Sequence, residues 1–268
     1  MRDTPFCAAC GEAPIKPRDL SLPGLVEMVY TAFSPVDGKV LRSFRKLLTH
    51  PGGLTRAFQD GLRKPYIGPL QICLLANVLF FAVQSFTDFK VFTATLEARL
   101  LPTQMLSDLS QALLDARLHA TGRSFAQYAP VFDQAVAVNA KSLIGLMVPF
   151  LAVRPPFVFW RAAKPLAVHV VFSLHFYAFL TCMFCLPLAG VIFARRLGFS
   201  GPVPQSVDNS MAISMVMASA VYFYMAAATV YGARGAARAA QTMVLTFGAV
   251  AIFFAYRFVL LPITLYTT

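Results

Sequence analysis

The sequence predicts an all-α integral membrane protein with about five transmembrane helices, N-terminal interfacial amphipathic helices and a small helical cap between the first two spans. Of its 268 residues, 57% are hydrophobic and 13% are charged, whereas about a quarter of the residues in a soluble domain are charged. The mean hydropathy is +0.64. Four apolar windows contain no Asp or Glu, and each is near or above the roughly 20 residues that cross a bilayer as a helix.

Residues 1–66 are predicted to form a basic, amphipathic region at the cytoplasmic surface. This segment carries ten of the 23 Lys and Arg residues, and its first 19 residues include no apolar segment typical of a signal peptide. Apolar residues recur at helical spacing in 22–33 and in 40–48. The apolar faces of these helices either lie on an anionic membrane leaflet or pack on the protein's own helices, and the sequence leaves both alternatives open. We expect an anionic phospholipid membrane, rather than nucleic acid, as the partner of this charge.

Residues 67–268 are predicted to form the membrane domain. The four clear windows cover 67–86, 166–193, 210–232 and 241–262, and a fifth at 142–160 is interrupted by Pro149, Arg154 and a Pro-Pro pair. If all five cross with the N-terminus inside, fifteen basic residues lie inside and seven outside. Because cytoplasmic loops are enriched in Lys and Arg, this distribution favours five spans. Arg154 and Arg257 would then lie near helix ends, where their side chains could snorkel to an interface.

Residues 87–140 separate the first two spans and are predicted to form the cap on the outer face. Apolar residues at helical spacing indicate one amphipathic helix from Met105 to Ala116 and a second that begins near Phe125. Such a cap could close a pocket, bind a membrane-protein partner or a second copy of the chain, or cover the bundle.

Basic and aromatic residues mark the entry to the first span. Arg63, Lys64 and Tyr66 are predicted to lie at the inner membrane surface and to contact lipid headgroups. The alternative is a phosphate-binding or catalytic site. Near the N-terminus, Cys7 and Cys10 have the spacing of half a zinc site, but structural zinc takes four ligands. We therefore expect a degenerate knuckle and no cofactor, with zinc as the alternative.

Several motifs are distributed along the chain: Cys7-x2-Cys10-Gly11, Pro51-Gly52, Phe58-x2-Gly61-x-Arg63-x2-Tyr66-x2-Pro69, Val148-Pro149-Phe150, the stretch HVVFSLHFYAF at 169–179, and Val230-Tyr231-Gly232. In these residues the chain resembles a bacterial family catalogued as domain of unknown function 3667. The resemblance implies an integral membrane protein of bacteria, with no established activity. Many members have a second Cys-x2-Cys, a Glu before the first histidine of the helical stretch, and a histidine where Tyr177 stands here, so this chain departs from any shared metal site.

His169 and His175 lie inside an apolar window. They are about 120° apart around a helix and about 9 Å apart along it, so they are not expected to bind one ion. Ionisable groups inside a membrane are functional candidates by default. His175 lies deeper and is the stronger candidate, with Tyr177 beside it, whereas His169 lies near the helix end, where Ser173 is a local hydrogen-bonding neighbour. No catalytic residue is predicted.

These patterns favour a non-enzymatic membrane role, as a small-solute transporter or as an assembly or scaffold component. Transport would use a polar lining of His175, Tyr177, Ser214, Ser219 and Tyr222. The alternative is a membrane enzyme that acts on lipid or quinone with His175 as base or metal ligand. Against it, the sequence has no phosphate loop or multiple histidine boxes. The expected location is the bacterial inner membrane, with the N-terminus in the cytoplasm.

Overall fold

The computed structural model describes residues 38–62, 64–87, 95–100, 107–143, 145, 147–199, 201 and 205–268. The predictions made for Cys7, Cys10, the helix at 22–33 and Arg63 lie outside these residues. The regular elements within them are all helical, as the fold class predicts. The α-helices are α1 (Gly38–Thr49), α2 (Gly53–Gln59), α3 (Pro69–Gln84), α4 (Leu96–Arg99), α5 (Ser107–Thr121), α6 (Phe125–Leu143), α7 (Met147–Val158), α8 (Leu166–Arg196), α9 (Gln205–Tyr231) and α10 (Gly235–Thr267), and a short 3-10 helix (Trp160–Ala162) follows α7.

Three helices are long and apolar enough to cross a membrane: Leu166–Arg196, Asn209–Tyr231 and Gly235–Thr267. They match the predicted windows 166–193, 210–232 and 241–262. The other two predicted spans correspond to shorter apolar helices, α3 with 16 residues and α7 with 12. At 1.5 Å per residue, α3 reaches about 24 Å and α7 about 18 Å, less than the hydrocarbon thickness of about 30 Å. The total of five spans therefore stays a prediction.

Helix α8 is the centre of the bundle, because it packs against α3, α7, α9 and α2. Its buried face includes Phe172, Phe176 and Phe179, whose rings meet Tyr222 and Phe223 of α9. Aromatic pairs at these separations add to the stability gained from burial. The cluster fixes α9 against α8 and leaves the opposite side of α8 for α2 and α3.

Two short helices, α1 and α2, form a unit that we call the platform (residues 38–62). Ser43 and Leu47 of α1 are buried, whereas Arg42 and Arg45 are exposed on the other face. Ser43 Oγ donates to the Lys39 carbonyl and accepts the backbone N–H of Ile67 at 3.0 Å. One face of α1 thus packs on the protein itself, and its hydroxyl ties the platform to the start of α3.

A tight turn at Gly52 leads from α1 into α2. Its φ of +79° is a conformation that side chains other than glycine rarely adopt. A β-carbon at this position would lie 2.9 Å from Ala226 Cα and 3.0 Å from Val230 Cγ2. The turn therefore seats the platform directly on the backbone of α9, at a distance that only glycine permits.

Between the first two predicted spans, the residues that the structure describes include the short helix α4, and α5 and α6 at the two predicted positions. Tyr128 and Phe132 of α6 are fully buried, and α6 packs against α10. The Asp133 carboxylate accepts the backbone N–H of Leu96 at the start of α4 at 2.8 Å, and Tyr256 of α10 donates to the Ala140 carbonyl at 2.7 Å. These contacts hold the cap on the bundle.

Candidate functional site

A cavity of about 290 Å³ lies between the platform and the helices α3 and α8. One wall comes from α2 and the residues after it: Leu54 and Phe58 lie one turn apart on the same face of α2, and Leu62 follows the end of the helix. The opposite side is the start of α3 and a single residue of α8. The lining residues are Leu54, Phe58, Leu62, Tyr66, Ile67, Gly68, Pro69 and His175.

His175 is the polar group of the cavity that comes from α8, and its side chain is 3% exposed. Its Nδ1 lies 2.9 Å from the Oγ1 atom of Thr55, which is fully buried on α2. A buried polar group is costly unless it is hydrogen-bonded. The bond therefore both satisfies one ring nitrogen and fixes how the imidazole faces the cavity.

The edge of the cavity is held by a link between Tyr66 and Lys46. Lys46 Nζ donates to the Tyr66 hydroxyl at 2.9 Å and lies 4.9 Å from the centre of the Tyr66 ring. Both residues are half-buried, whereas Lys64 is exposed. Tyr66 thus lines the cavity as well as belonging to the segment predicted at the membrane surface, for which a phosphate-binding or catalytic site was the alternative.

Tyr177 does not share a site with His175. Its hydroxyl donates to Asn77 Oδ1 of α3 at 2.7 Å, and the Asn77 amide donates to the Cys73 carbonyl at 2.9 Å. Since Tyr177 lies two residues from His175 on a helix, it points about 200° away around the axis. The Tyr177–Asn77 pair joins α3 to α8 inside the bundle.

His169 packs beside an aromatic residue at the end of α9. Its Nδ1 lies 2.9 Å from the Tyr231 hydroxyl, and the two rings are stacked with centroids 5.4 Å apart. Phe159 stacks on the other side of Tyr231 at 3.8 Å. The partner of His169 is therefore Tyr231, 62 residues away, rather than the local Ser173, and the arrangement is one of packing.

The polar lining suggested for transport is not brought together. Ser214 is exposed and donates to the Met211 carbonyl of its own helix, and Ser219 donates in the same way to Met215. Tyr222 lies within the aromatic cluster of α8 and α9. Of that set, His175 alone lines the cavity described above.

Arg154 also differs from the prediction that it would snorkel to an interface. Its Nη1 and Nη2 atoms are buried without a described hydrogen-bond partner. The guanidinium occupies the space that a β-carbon at Gly248 would need. The side chain thus crosses from α7 to the backbone of α10 inside the bundle.

The described residues contain no group of three or more His, Cys, Asp or Glu side chains that could hold a metal ion. Cys73 and Cys182 are buried as free thiols, and the Cys185 thiol lies 3.5 Å from the Thr181 carbonyl of the same helix.

The sequence prediction did not name Thr55, the partner of His175, or Asn77, the partner of Tyr177. Thr55 lies between Gly52 and Phe58 of the family motif, and Asn77 is the amide in the middle of the first apolar window. A polar residue at membrane depth was a signal available for Asn77. Nothing local marks Thr55, because its partner is 120 residues away.

Three helices long and apolar enough to cross a membrane, together with shorter apolar helices, place this chain in the class of helical membrane proteins. Residues 37–81 match the model of a family described as protein of unknown function (DUF3667), which confirms the resemblance over this segment. The match includes the platform and most of α3, and so every lining residue of the cavity except His175. No curated protein and no solved structure matches the chain.

Proposed function

We propose that this protein is a multi-pass membrane protein that binds a small solute in the cavity at His175, as the binding step of a non-enzymatic transport function. The observation that supports the proposal is the cavity itself. It is close to the lower size limit of small-molecule sites, which are mostly apolar with a few placed polar groups and have volumes of about 300–1,000 Å³. Apolar walls with one oriented imidazole fit that description.

The construction of the cavity favours transport over a purely structural role. Its two sides belong to different units, the platform and the spans, which are joined by the 62–69 segment. A movement of the platform relative to α8 would change access to His175. An assembly or scaffold component would need neither the cavity nor a histidine held in one orientation.

An enzymatic role has less support from the geometry. General acid–base catalysis needs a group placed within hydrogen-bond reach of the reacting proton, and further groups that stabilise the charge that develops. The polar side chains among the described lining residues are His175 and Tyr66, and no carboxylate, thiol or aliphatic hydroxyl nucleophile lines the cavity with them. We therefore place the enzyme acting on lipid or quinone second.

We also propose the bacterial inner membrane as the location, with the N-terminus and the platform on the cytoplasmic side. The support is the distribution of fifteen basic residues inside and seven outside for five spans. In this arrangement the cavity lies near the cytoplasmic leaflet, because it is formed at the start of α3, and the exposed Arg42, Arg45 and Lys64 lie near anionic headgroups.

Thiol accessibility in proteoliposomes tests the transport proposal. Phe58→Cys places a thiol in the cavity wall, and Ala76→Cys places one in the fully buried contact of α3, as the matched control. Both are made in a background whose native cysteines are replaced by alanine. A membrane-impermeant maleimide is then applied from either side of oriented proteoliposomes.

We expect Phe58→Cys to be labelled from both sides, since a transporter exposes its binding site alternately, and Ala76→Cys to stay unlabelled. Labelling of Phe58→Cys from one side alone would show a binding protein that does not transport. If Phe58→Cys were labelled no faster than Ala76→Cys from either side, the cavity would not be a ligand site and the proposal would fail.

A further inference from the structure

The burial of Thr55, together with its hydrogen bond to His175, indicates which ring nitrogen carries a proton. Buried hydroxyls elsewhere, as at Ser43 and Thr181, donate to the carbonyl four residues earlier in their own helix, whereas the described hydrogen bond of Thr55 is the one to His175 Nδ1. If Thr55 accepted from His175, its own hydrogen would be buried without an acceptor, which is costly. Thr55 is therefore the donor and Nδ1 the acceptor.

A neutral imidazole with Nδ1 as acceptor has its hydrogen on Nε2. Nε2 has no hydrogen-bond partner among the described residues, and His175 lines the cavity. A protonated imidazole would carry a hydrogen on Nε2 as well. The nitrogen left for a ligand is thus a donor in either protonation state.

Tyr66, the second polar side chain of the cavity wall, can also act as a hydrogen-bond donor. The Tyr66 hydroxyl accepts a hydrogen bond from Lys46 Nζ, so the hydroxyl can donate its own hydrogen to a ligand. Gly68 and Pro69, at the N-terminus of the 16-residue helix α3, also line the cavity, and a helix N-terminus carries partial positive charge. The polar groups of the lining are therefore donors beside a positive helix end.

The segment of the chain that forms most of the cavity wall carries a net positive charge, like the N-terminal end of α3. Residues 38–87 contain seven Lys and Arg and a single acid, Asp60. Asp60 is exposed and its Oδ2 lies 3.1 Å from Arg56 Nε, and it is absent from the described lining of the cavity. No described lining residue is a carboxylate that would attract a cation.

We infer that the ligand of this cavity is an oxyanion, a phosphate or carboxylate group carried on a small apolar body; the inference rests on the ligand-binding role proposed above. The oxyanion accepts hydrogen bonds from His175 Nε2 and the Tyr66 hydroxyl beside the N-terminus of α3. The apolar body packs on Leu54, Phe58 and Leu62. A lipid headgroup with its first methylenes and a free short-chain anion share this chemistry.

Binding of a simple probe tests the inference on the full-length protein in phosphatidylcholine nanodiscs. Butyl phosphate is compared with butylammonium, which has the same apolar chain and the opposite charge. We expect butyl phosphate to raise the midpoint of thermal unfolding in a concentration-dependent way and butylammonium to have no effect. Binding of butylammonium in place of butyl phosphate would overturn the inference.

Two variants separate a donor function of His175 from a structural one. His175→Leu removes the donor, and because a hydrogen bond to a charged group contributes roughly 1.5–3 kcal/mol, its affinity for butyl phosphate should fall roughly tenfold to a hundredfold. His175→Gln retains an N–H donor and should recover most of the affinity. Thr181→Val, which removes another buried hydroxyl of α8, is the matched control and should bind as the wild type does.

The tautomer itself is measured by nitrogen NMR of histidine-labelled protein, without any ligand. We expect the His175 signals of a ring with its hydrogen on Nε2, and we expect this pattern to be lost in Thr55→Val. A neutral ring with its hydrogen on Nδ1 would refute the assignment, even if the variants failed to fold.

Phosphatidic acid in the nanodisc distinguishes the two sources of the anion. Competition with butyl phosphate would identify a lipid headgroup, and undiminished butyl phosphate binding would identify a soluble anion; either result supports the oxyanion. If Phe58→Cys is labelled but butyl phosphate does not bind, the inference fails while the cavity remains a ligand site. If neither occurs, the proposed function fails with it.

Discussion

Replacing Gly52 by alanine tests whether close contact with α9 holds the platform in place. Gly52 has a φ of +79°, and a β-carbon there would lie 2.9 Å from the backbone of Ala226 and 3.0 Å from Val230. The neighbour at 2.9 Å is a Cα atom rather than the end of a flexible side chain. Either the platform or α9 would therefore have to move.

Two costs contribute to the expected loss of stability. A left-handed conformation costs a residue other than glycine about 1–2 kcal/mol. Overpacking against a fixed backbone adds about 1–3 kcal/mol. Their sum predicts a loss of about 2–5 kcal/mol for Gly52→Ala.

Gly61→Ala is the matched control, because Gly61 has a similar φ of +75° but nothing lies within 4 Å of its β-carbon position. It should lose only the conformational contribution of about 1–2 kcal/mol. The difference between the two variants isolates the contact with α9. It is measured by reversible unfolding in mixed micelles, together with maleimide labelling of Phe58→Cys in each background.

Gly52→Ala should also increase the labelling rate at position 58, since a displaced platform opens the cavity, whereas Gly61→Ala should leave it nearly unchanged. Equal losses of stability in the two variants, with equal labelling rates, would refute the argument. That result would mean that the contact between Gly52 and α9 does not hold the platform in place.

Two further predictions concern contacts inside the bundle. Tyr177→Phe removes the hydrogen bond to Asn77. Because hydrogen bonds between membrane helices contribute little, the free energy of unfolding should fall by about 0.6 kcal/mol and by no more than about 2 kcal/mol. A larger loss would show that the pair does more than join α3 to α8. Gly248→Ala should displace the Arg154 guanidinium. Because the clashing atoms belong to the end of a flexible side chain, its stability should stay within about 1 kcal/mol of that of Gly190→Ala, whose β-carbon would meet nothing within 4 Å. In the same unfolding assay, a loss of about 3 kcal/mol or more for Gly248→Ala would show that the Arg154 side chain is held rigidly in its place.

The long helices were predictable because their signal is local. Mean hydropathy over about 20 residues indicates a helix that can cross a membrane, whatever it packs against. The helices at 166–196, 209–231 and 235–267 confirm the three corresponding windows. The ends of the shorter helices were less predictable, since α7 begins at Met147 rather than at the start of the 142–160 window.

The roles of individual polar residues followed from the sequence only in part. His175 was the favoured candidate because of its depth, and the structure places it in the wall of a cavity. Tyr177 was paired with it on grounds of proximity along the chain, yet the two side chains reach different partners. On a helix, side chains three or four residues apart lie next to each other, whereas side chains two residues apart face different directions.

The sequence by itself determined that the chain is helical, apolar enough for a membrane, and basic toward its N-terminus, because composition and periodicity are properties of short segments. Only the tertiary structure decided that Thr55 meets His175, that Gly52 rests on α9 and that Arg154 points at Gly248. Each of these contacts joins residues that belong to different elements and lie far apart in the chain. Their pairing depends on how whole helices pack, and no local pattern of residues encodes it.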